Sequence, residues 1–215
     1  MIDLHTHTVL SDGAVLPSEL VRRADISGYK AIALTDHVDS GNMEVILKQL
    51  VKVAEDLNRL GGIKVLPGVE ITHMPPSLIA DVAKEARKLG AKMVVVHGES
   101  PVEPVCPETN LFALQSDIDI LAHPGMINEE EVRLAEKRGI YLELSARKGH
   151  CLTNGHLVVL ARKYQAKLVM NTDAHRPGEL FSEDLLKKVG LGAGLSQEEL
   201  KEVLGNSAEL VEKRF

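Results

Sequence analysis

The chain has 215 residues, 44% of them hydrophobic and 26% charged, which describes a globular protein and excludes a disordered or membranous composition. Three Phe, three Tyr and no Trp leave no aromatic platform for stacking bases, and a net charge of −6 makes a long polyanion a poor partner. There is thus no strong case for nucleic acid. Two cysteines, Cys106 and Cys151, have neither CxxC spacing nor further partners, so zinc-ribbon and redox-motif readings lapse and reduced thiols are expected. No apolar run approaches the roughly 20 residues that cross a bilayer. The start MIDLHTH shows no basic region followed by an apolar run, so a cytoplasmic protein without membrane attachment is expected.

The predicted elements alternate from the first residue onward. A short strand at 1–5 leads into HTHTVLSDG, and PSELVRRADISG then carries a helical period. A strand at 30–35 precedes VILKQLVKVAEDLNRL, in which Ile46, Leu50, Val53, Leu57 and Leu60 fall on one face. Strands at 63–71, 92–97, 118–123, 139–145 and 167–172 follow, separated by helical stretches of which several end in Gly. The tail from Ser196 reads as one or two helices on the outside. Seven strand–helix units imply parallel strands joined by right-handed crossovers. Strands this apolar suit a closed barrel better than an open sheet. A doubly wound sheet would show a Gly-rich phosphate loop where this chain has HTHTVLSDG. The expectation is a single α/β domain over residues 1–215, a TIM-like barrel of seven units.

On that scaffold nearly every histidine lies just after a strand, on the rim that carries the active site in such barrels. His5 and His7 follow the first strand and point to one side, because residues two apart on a strand share a face. Asp36 and His37 follow the second, Glu70 and His73 the third, His97 and Glu99 the fourth, His123 the fifth, and Asp173 and His175 the seventh. Clustered imidazoles and carboxylates would repel or stay unsatisfied unless a cation binds them, so metal ions are the economical reading. The number of candidates exceeds what one catalytic zinc takes, so more than one metal is implied, with Zn, Mn or Fe suiting mixed nitrogen and oxygen donors. Closely spaced metals at a barrel mouth point to hydrolysis, with a bridging hydroxide as nucleophile.

At these residues the sequence resembles the PHP (polymerase and histidinol phosphatase) superfamily over its whole length. The motifs are HTH with SDG (His5, His7, Asp12), TDH (His37), PGVE (Glu70), VVVHGE (His97), LAHPG (His123) and NTDAH (Asp173, His175). The resemblance implies a distorted (β/α)7 TIM-like barrel, the PHP fold, holding three divalent metal ions. It implies that His5, His7 and Asp173 bind the first metal, that Glu70 bridges to a second held by His97 and His123, and that Asp12, His37 and His175 bind the third. It also implies phosphoester hydrolysis, with a small phosphorylated substrate as partner and histidinol phosphate as the best single guess.

Catalytic roles are expected for Glu70 and Asp173, and for Arg147 in SARKGH and Arg176 in DAHRPG, whose guanidinium forks match a terminal phosphate. Lys148 is expected either to assist or to solvate its loop. Asp36 is expected to orient neighbours rather than ligate, and Asn154 to cap the helix that follows it. His150 has two readings, substrate contact or proton donor to the leaving group. His73, Glu99 and His156 have no settled role, and the oligomeric state is not legible. Alternatives are a phosphodiesterase or nuclease of the same superfamily, an amidohydrolase, and a non-catalytic scaffold. The amidohydrolase reading is weakened because His97 stands where many of those barrels carry a metal-bridging lysine, while Lys92 opens the strand at the opposite rim.

Overall fold

A computed structural model describes residues 1–215. Eight short strands and eight helices alternate. They run β1 (Ile2–Asp3), α1 (Pro17–Ile26), β2 (Ala31–Leu34), β3 (His37–Val38), α2 (Met43–Leu60), β4 (Lys64–Ile71), α3 (Ile79–Lys88), β5 (Met93–His97) and α4 (Thr109–Leu114). After these come β6 (Ile120–Ala122), α5 (Glu129–Arg138), β7 (Tyr141–Ser145), α6 (Asn154–Tyr164), β8 (Leu168–Asn171), α7 (Glu183–Gly192) and α8 (Gln197–Arg214). All strand pairs are parallel, in the order β1-β2-β4-β5-β6-β7-β8, with β3 also on β4. The expected second strand is therefore one stave in two pieces: Leu34 pairs with Pro67 and His37 with Glu70, in a single register. Pro67 turns its carbonyl to Lys92 N on the β5 side at 2.8 Å, so its missing N–H takes nothing from the pairing with β2 and β3.

The last seam closes by side chains more than by ladder bonds. Thr6 bridges Ala174, Asn171 Oδ1 accepts the Leu4 N–H at 2.9 Å, and Thr172 Oγ1 donates to Asp3 Oδ2 at 2.5 Å. The result is a nearly closed seven-stave TIM-like barrel with helices around it.

Strand periodicity sorts the core into two layers. Ile32, Val94, Val96, Leu121, Leu142 and Leu144 face outward against the helices. Ala31, Leu66, Met93, Val95, Ile120 and Val169 fill the barrel interior, which Leu210 and Val211 of α8 close from below. The inward row continues upward in polar residues, so that two positions beyond Val95 stands His97, and two beyond Tyr141 stands Glu143. The barrel is thus apolar at its base and ionisable at its mouth.

Helix ends follow local chemistry. Asn128 and Glu131 form a reciprocal capping box that opens α5, Gly139 ends it in the left-handed conformation, and Ser196 with Glu199 opens α8. The expected face of α2 is rotated: Met43, Ile46, Leu47, Leu50 and Ala54 are buried, Leu57 only half so, and Leu60 is exposed at the end where the helix leaves the sheet. The expected cap at Asn154 is not formed. Asn154 is the first helical residue of α6, and its amide instead reaches back to the end of β7, donating to Ser145 O at 2.8 Å and accepting from Ser145 N at 3.3 Å. No helix is long and apolar enough to cross a membrane.

Candidate metal centre

His5 and His7 leave β1 on the same side, both fully buried, with ring centroids 5.1 Å apart. Thr6 between them faces the other way and donates to Ala33 O at 2.7 Å, which locks the alternation. Asp36, expected as an organiser, is buried and accepts from Thr8 N, Thr8 Oγ1, Ser11 N and Ser11 Oγ at 2.7–3.0 Å. That knot folds the loop back and carries Asp12 over the mouth. Gly13 permits it, because a Cβ there would lie 2.6 Å from the His7 carbonyl carbon.

Glu70 sits at the centre. Its Oε1 is 3.3 Å from His5 Nε2 and 3.7 Å from His123 Nε2, and its Oε2 is 2.7 Å from His37 Nδ1 and 3.6 Å from His7 Nε2. Asp173 sits beside it, with Oδ1 3.2 Å from His7 Nε2 and 3.8 Å from His5 Nε2, and Oδ2 3.7 Å from His123 Nε2. Asp12 Oδ1 reaches His175 Nε2 at 3.1 Å and His37 Nε2 at 3.5 Å. His73, His123 and Asp173 all hold left-handed backbone angles (φ 52°, 27° and 52°), a local strain that only the surrounding structure can impose.

Four sets of side chains have ligand atoms within 4.8 Å of one another: His7, Asp12, His37 and His175; His97, His123 and His150; His5, His123 and Asp173; His5, His7 and Glu70. All nine expected ligands are among them. The expected companions stay together with additions: His7 lies with Asp12, His37 and His175, His150 lies with His97 and His123, Glu70 lies with His5 and His7, and Asp173 lies with His5 and His123.

The charges are mutually frustrated. Burial opposes ionisation of Glu70, but His5 and His37 outweigh it and hold the carboxyl well below its usual range. Burial pushes Asp173 up to about 6. At His5 burial opposes the charged form, and Glu143, Glu70 and Asp173 overcome it, raising the imidazole well above its usual value. Burial, then His37 in one case and His97 in the other, drives His7 and His123 well below it.

His5 Nε2, both nitrogens of His7, Glu70 Oε1, His123 Nδ1 and Asp173 Oδ1 are buried with no hydrogen-bond partner. Each such atom costs roughly 1–3 kcal/mol if left alone. Imidazole nitrogens and carboxylate oxygens are the donors that zinc, manganese and iron accept, so the residues fit divalent ions.

A cavity of about 400 Å³ opens over this cluster, lined entirely by polar side chains including Asp12, His37, His73, His97, Asp173 and His175. Arg147 lines it too, donating through Nη1 to Asp173 O at 3.0 Å and lying 2.8 Å from His175 Nδ1. Arg176 does not line it; its side chain is exposed, and its backbone N–H donates to Glu179 Oε2 at 3.1 Å. Lys148, also exposed, lines a neighbouring recess of about 250 Å³ on the far side of Arg147. His156 donates to Ile127 O at 2.7 Å and Glu99 accepts from Asn110 N at 3.0 Å, so both serve local backbone away from the cavity.

Two carboxylates escaped the sequence reading. Glu143, fully buried on β7, accepts from His5 Nδ1 at 2.8 Å and from Asn171 Nδ2 at 2.9 Å. It thereby anchors His5 through Nδ1 and aims Nε2 inward. Its signal was strand parity, an acid two residues from an inward tyrosine. Glu103 lies on the loop between β5 and α4 and meets His97 Nε2 at 3.1 Å, His73 Nε2 at 3.3 Å and His150 Nε2 at 3.4 Å. Nothing periodic marks it.

Residues 3–169 match the PHP domain family. The chain is 46% identical over 204 residues to "Uncharacterized protein MJ1295" of Methanocaldococcus jannaschii, covering 94% of each. A chain from the cryo-EM structure of archaeal ribonuclease P with mature tRNA superposes with a TM-score of 0.76 at 18% identity, covering 100% of this chain and 91% of that one. Histidinol phosphate phosphatase from Lactococcus lactis, solved with zinc, L-histidinol and phosphate, superposes with a TM-score of 0.61 at 15% identity, covering 91% and 94%. At these identities the two superpositions establish a shared fold.

Proposed function

This chain belongs to the PHP family, and from that premise we propose that it is a metal-dependent phosphoesterase acting on a small phosphomonoester. The observation that carries the reading is the set of buried, partnerless nitrogen and oxygen atoms under a polar cavity. Three divalent ions, Zn, Mn or Fe, are the proposed cofactors, held by His5, His7, Asp12, His37, Glu70, His97, His123, Asp173 and His175. Such ions supply Lewis acidity toward phosphoryl oxygens and activate water for attack.

The chain's own residues do the positioning. Glu70, touching four imidazoles, fixes their spacing, and Glu143 fixes the face that His5 presents. Arg147, braced by Asp173 O and His175, offers its fork to a terminal phosphate oxygen. A cavity walled only by polar groups gives no purchase to an apolar leaving group, which favours a small polar ester.

A scaffold role draws support from the likeness to the ribonuclease P chain, and is weighed down by the retained ligand set and the net charge of −6. The deciding experiment is a screen of phosphorylated metabolites with added Mn²⁺ or Zn²⁺, including histidinol phosphate, a phosphodiester and a cyclic nucleotide. Monoester turnover that EDTA abolishes is the expected result. Turnover of the diester alone, or of no ester, overturns the proposal.

A further inference from the structure

His150 is not one of the nine family positions, yet it is built like a ligand. It is 3% exposed, its Nδ1 is 2.6 Å from the hydroxyl of buried Ser100, and its ring stacks on His123 with centroids 4.1 Å apart and planes 17° apart. Fixing one ring nitrogen in this way aims the other, Nε2, at the cavity, where it lies 3.4 Å from Glu103 Oε1. Ligand atoms of His97, His123 and His150 fall within 4.8 Å of one another.

The loop that carries Glu103 is docked on the turn that carries His150. Gly149 takes φ +93° there, and a Cβ on it would meet Val102 at 3.1 Å. Two loops from different strands thus bring one carboxylate and one imidazole to the same spot. His97 turns to the same spot. Its Nδ1 is 3.0 Å from Gly98 O, a pure acceptor, so Nδ1 donates there and Nε2 is left for the cavity side. That nitrogen faces Glu103 Oε2 at 3.1 Å.

An imidazole nitrogen and a carboxylate oxygen at this range are joined by a proton or by a metal ion they share. The three rings of His97, His123 and His150 pack with centroids 4.1–5.8 Å apart and bring a nitrogen each to one spot, an arrangement that a single shared ion satisfies. Two ligands of one tetrahedral zinc sit about 3.3 Å apart. The His97–Glu103 and His150–Glu103 separations of 3.1 and 3.4 Å bracket that spacing.

We propose that His150 and Glu103 are additional ligands at the metal position of His97 and His123, so that this chain holds that ion with three imidazoles and a carboxylate arm from the β5–α4 loop. The inference rests on the metal-centre reading above, but its test reads metal alone. Titrate the metal-free full-length protein with Co²⁺ and follow the visible d–d absorption and the bound equivalents, in the wild type, His150→Ala, Glu103→Gln and the control His156→Gln. The expected result is that His150→Ala weakens one cobalt step at least 100-fold and shifts its absorption, that Glu103→Gln weakens the same step at least 10-fold, and that His156→Gln changes nothing. Glu103 is half-exposed on a loop, so its variant folds even if His150→Ala does not, and circular dichroism reports on both.

Wild-type affinity and spectrum in both folded variants overturn the inference and leave the phosphoesterase reading intact. A wild type that takes up no stoichiometric cobalt overturns both. Stoichiometric cobalt, with the expected losses in the variants but no turnover of any ester, supports this assignment while the phosphoesterase reading falls.

Discussion

At the base of the barrel Asp119 is buried and fully engaged: Arg87 Nη2 at 2.7 Å, Arg214 Nη2 at 2.6 Å and the Val94 N–H at 2.8 Å all come to its carboxylate. At the mouth Glu70 and Asp173 are as deeply buried, and His5 Nε2, both nitrogens of His7 and His123 Nδ1 beside them have no hydrogen-bond partner. Both ends pay the desolvation of charge. At the base the chain supplies the counter-charges itself, from α3 and α8, and both oxygens of the carboxylate are met, with Arg87 Nε alone left without a hydrogen bond. At the mouth the chain brings donors of one kind together and leaves their lone pairs open, which is sensible only if the compensating charge comes from outside.

The largest effect that tests this contrast is Glu70→Gln. An amide keeps the shape and removes the charge that gathers four imidazoles, so turnover should be abolished and metal retention reduced while the protein stays folded. Phosphatase assay, metal content and circular dichroism on one preparation check it. Activity within tenfold of wild type at full metal loading would show that the mouth, like the base, is only architecture.

Asp119→Ala is the opposite case. Removing it leaves two guanidinium groups and a backbone N–H without their partner, a loss of about 3–5 kcal/mol. At about 2–4 °C per kcal/mol for a chain of this size, melting should fall by roughly 6–20 °C. Activity per folded molecule at low temperature should be unchanged. A variant with wild-type melting and impaired turnover would reverse the assignment of the two ends.

The contrast also explains what the sequence revealed. The strand ends and the two-residue spacing of His5 and His7 were legible because strand parity is local, and so was the placement of His97, His123 and Asp173 after their strands. Glu143 obeys the same parity and was readable in principle from GIYLELS. Glu103 was not, since it sits between Pro101 and Pro104 in a loop with no period, and its partners lie on three other segments. The Asn154 clamp, the side-chain seam between β1 and β8 and the rotated face of α2 were likewise settled by tertiary contacts that no local pattern encodes.

The two arginines sharpen the comparison within the mouth. Arg147 is held against Asp173 and His175 with part of its fork in the cavity, while Arg176 is exposed and outside it. Arg147→Ala should therefore lose about 2–4 kcal/mol in transition-state binding to a monoester, roughly 30- to 1000-fold in kcat/KM. Arg147→Lys should restore only part, because a point charge does not replace the fork. Arg176→Ala should change the same quantity less than about threefold, as an exposed cation screened by solvent does. Equal losses at both positions would mean that Arg176 swings onto the phosphate when substrate binds. No loss at either would remove the terminal phosphate from the proposed recognition.

Glu143 stands between the two ends, and its variant should have a smaller effect on turnover than Glu70→Gln or Arg147→Ala. One of its oxygens is satisfied by the chain, accepting from His5 Nδ1 and Asn171 Nδ2, as at the base; the other is buried without a partner, as at the mouth. In Glu143→Gln the amide oxygen still accepts from His5 Nδ1, so the ring keeps its orientation, but the negative charge behind it is gone. His5 then becomes a poorer donor at Nε2. Loss of such an outer partner typically weakens a metal site about 10- to 100-fold, which is about 1.4–2.7 kcal/mol. The expected outcome is a weaker metal-binding step by calorimetry with a near-normal fold, and turnover that recovers when the metal concentration is raised. A melting loss comparable to that of Asp119→Ala, with metal affinity unchanged, would place Glu143 with the structural ion cluster and leave His5 oriented by packing alone.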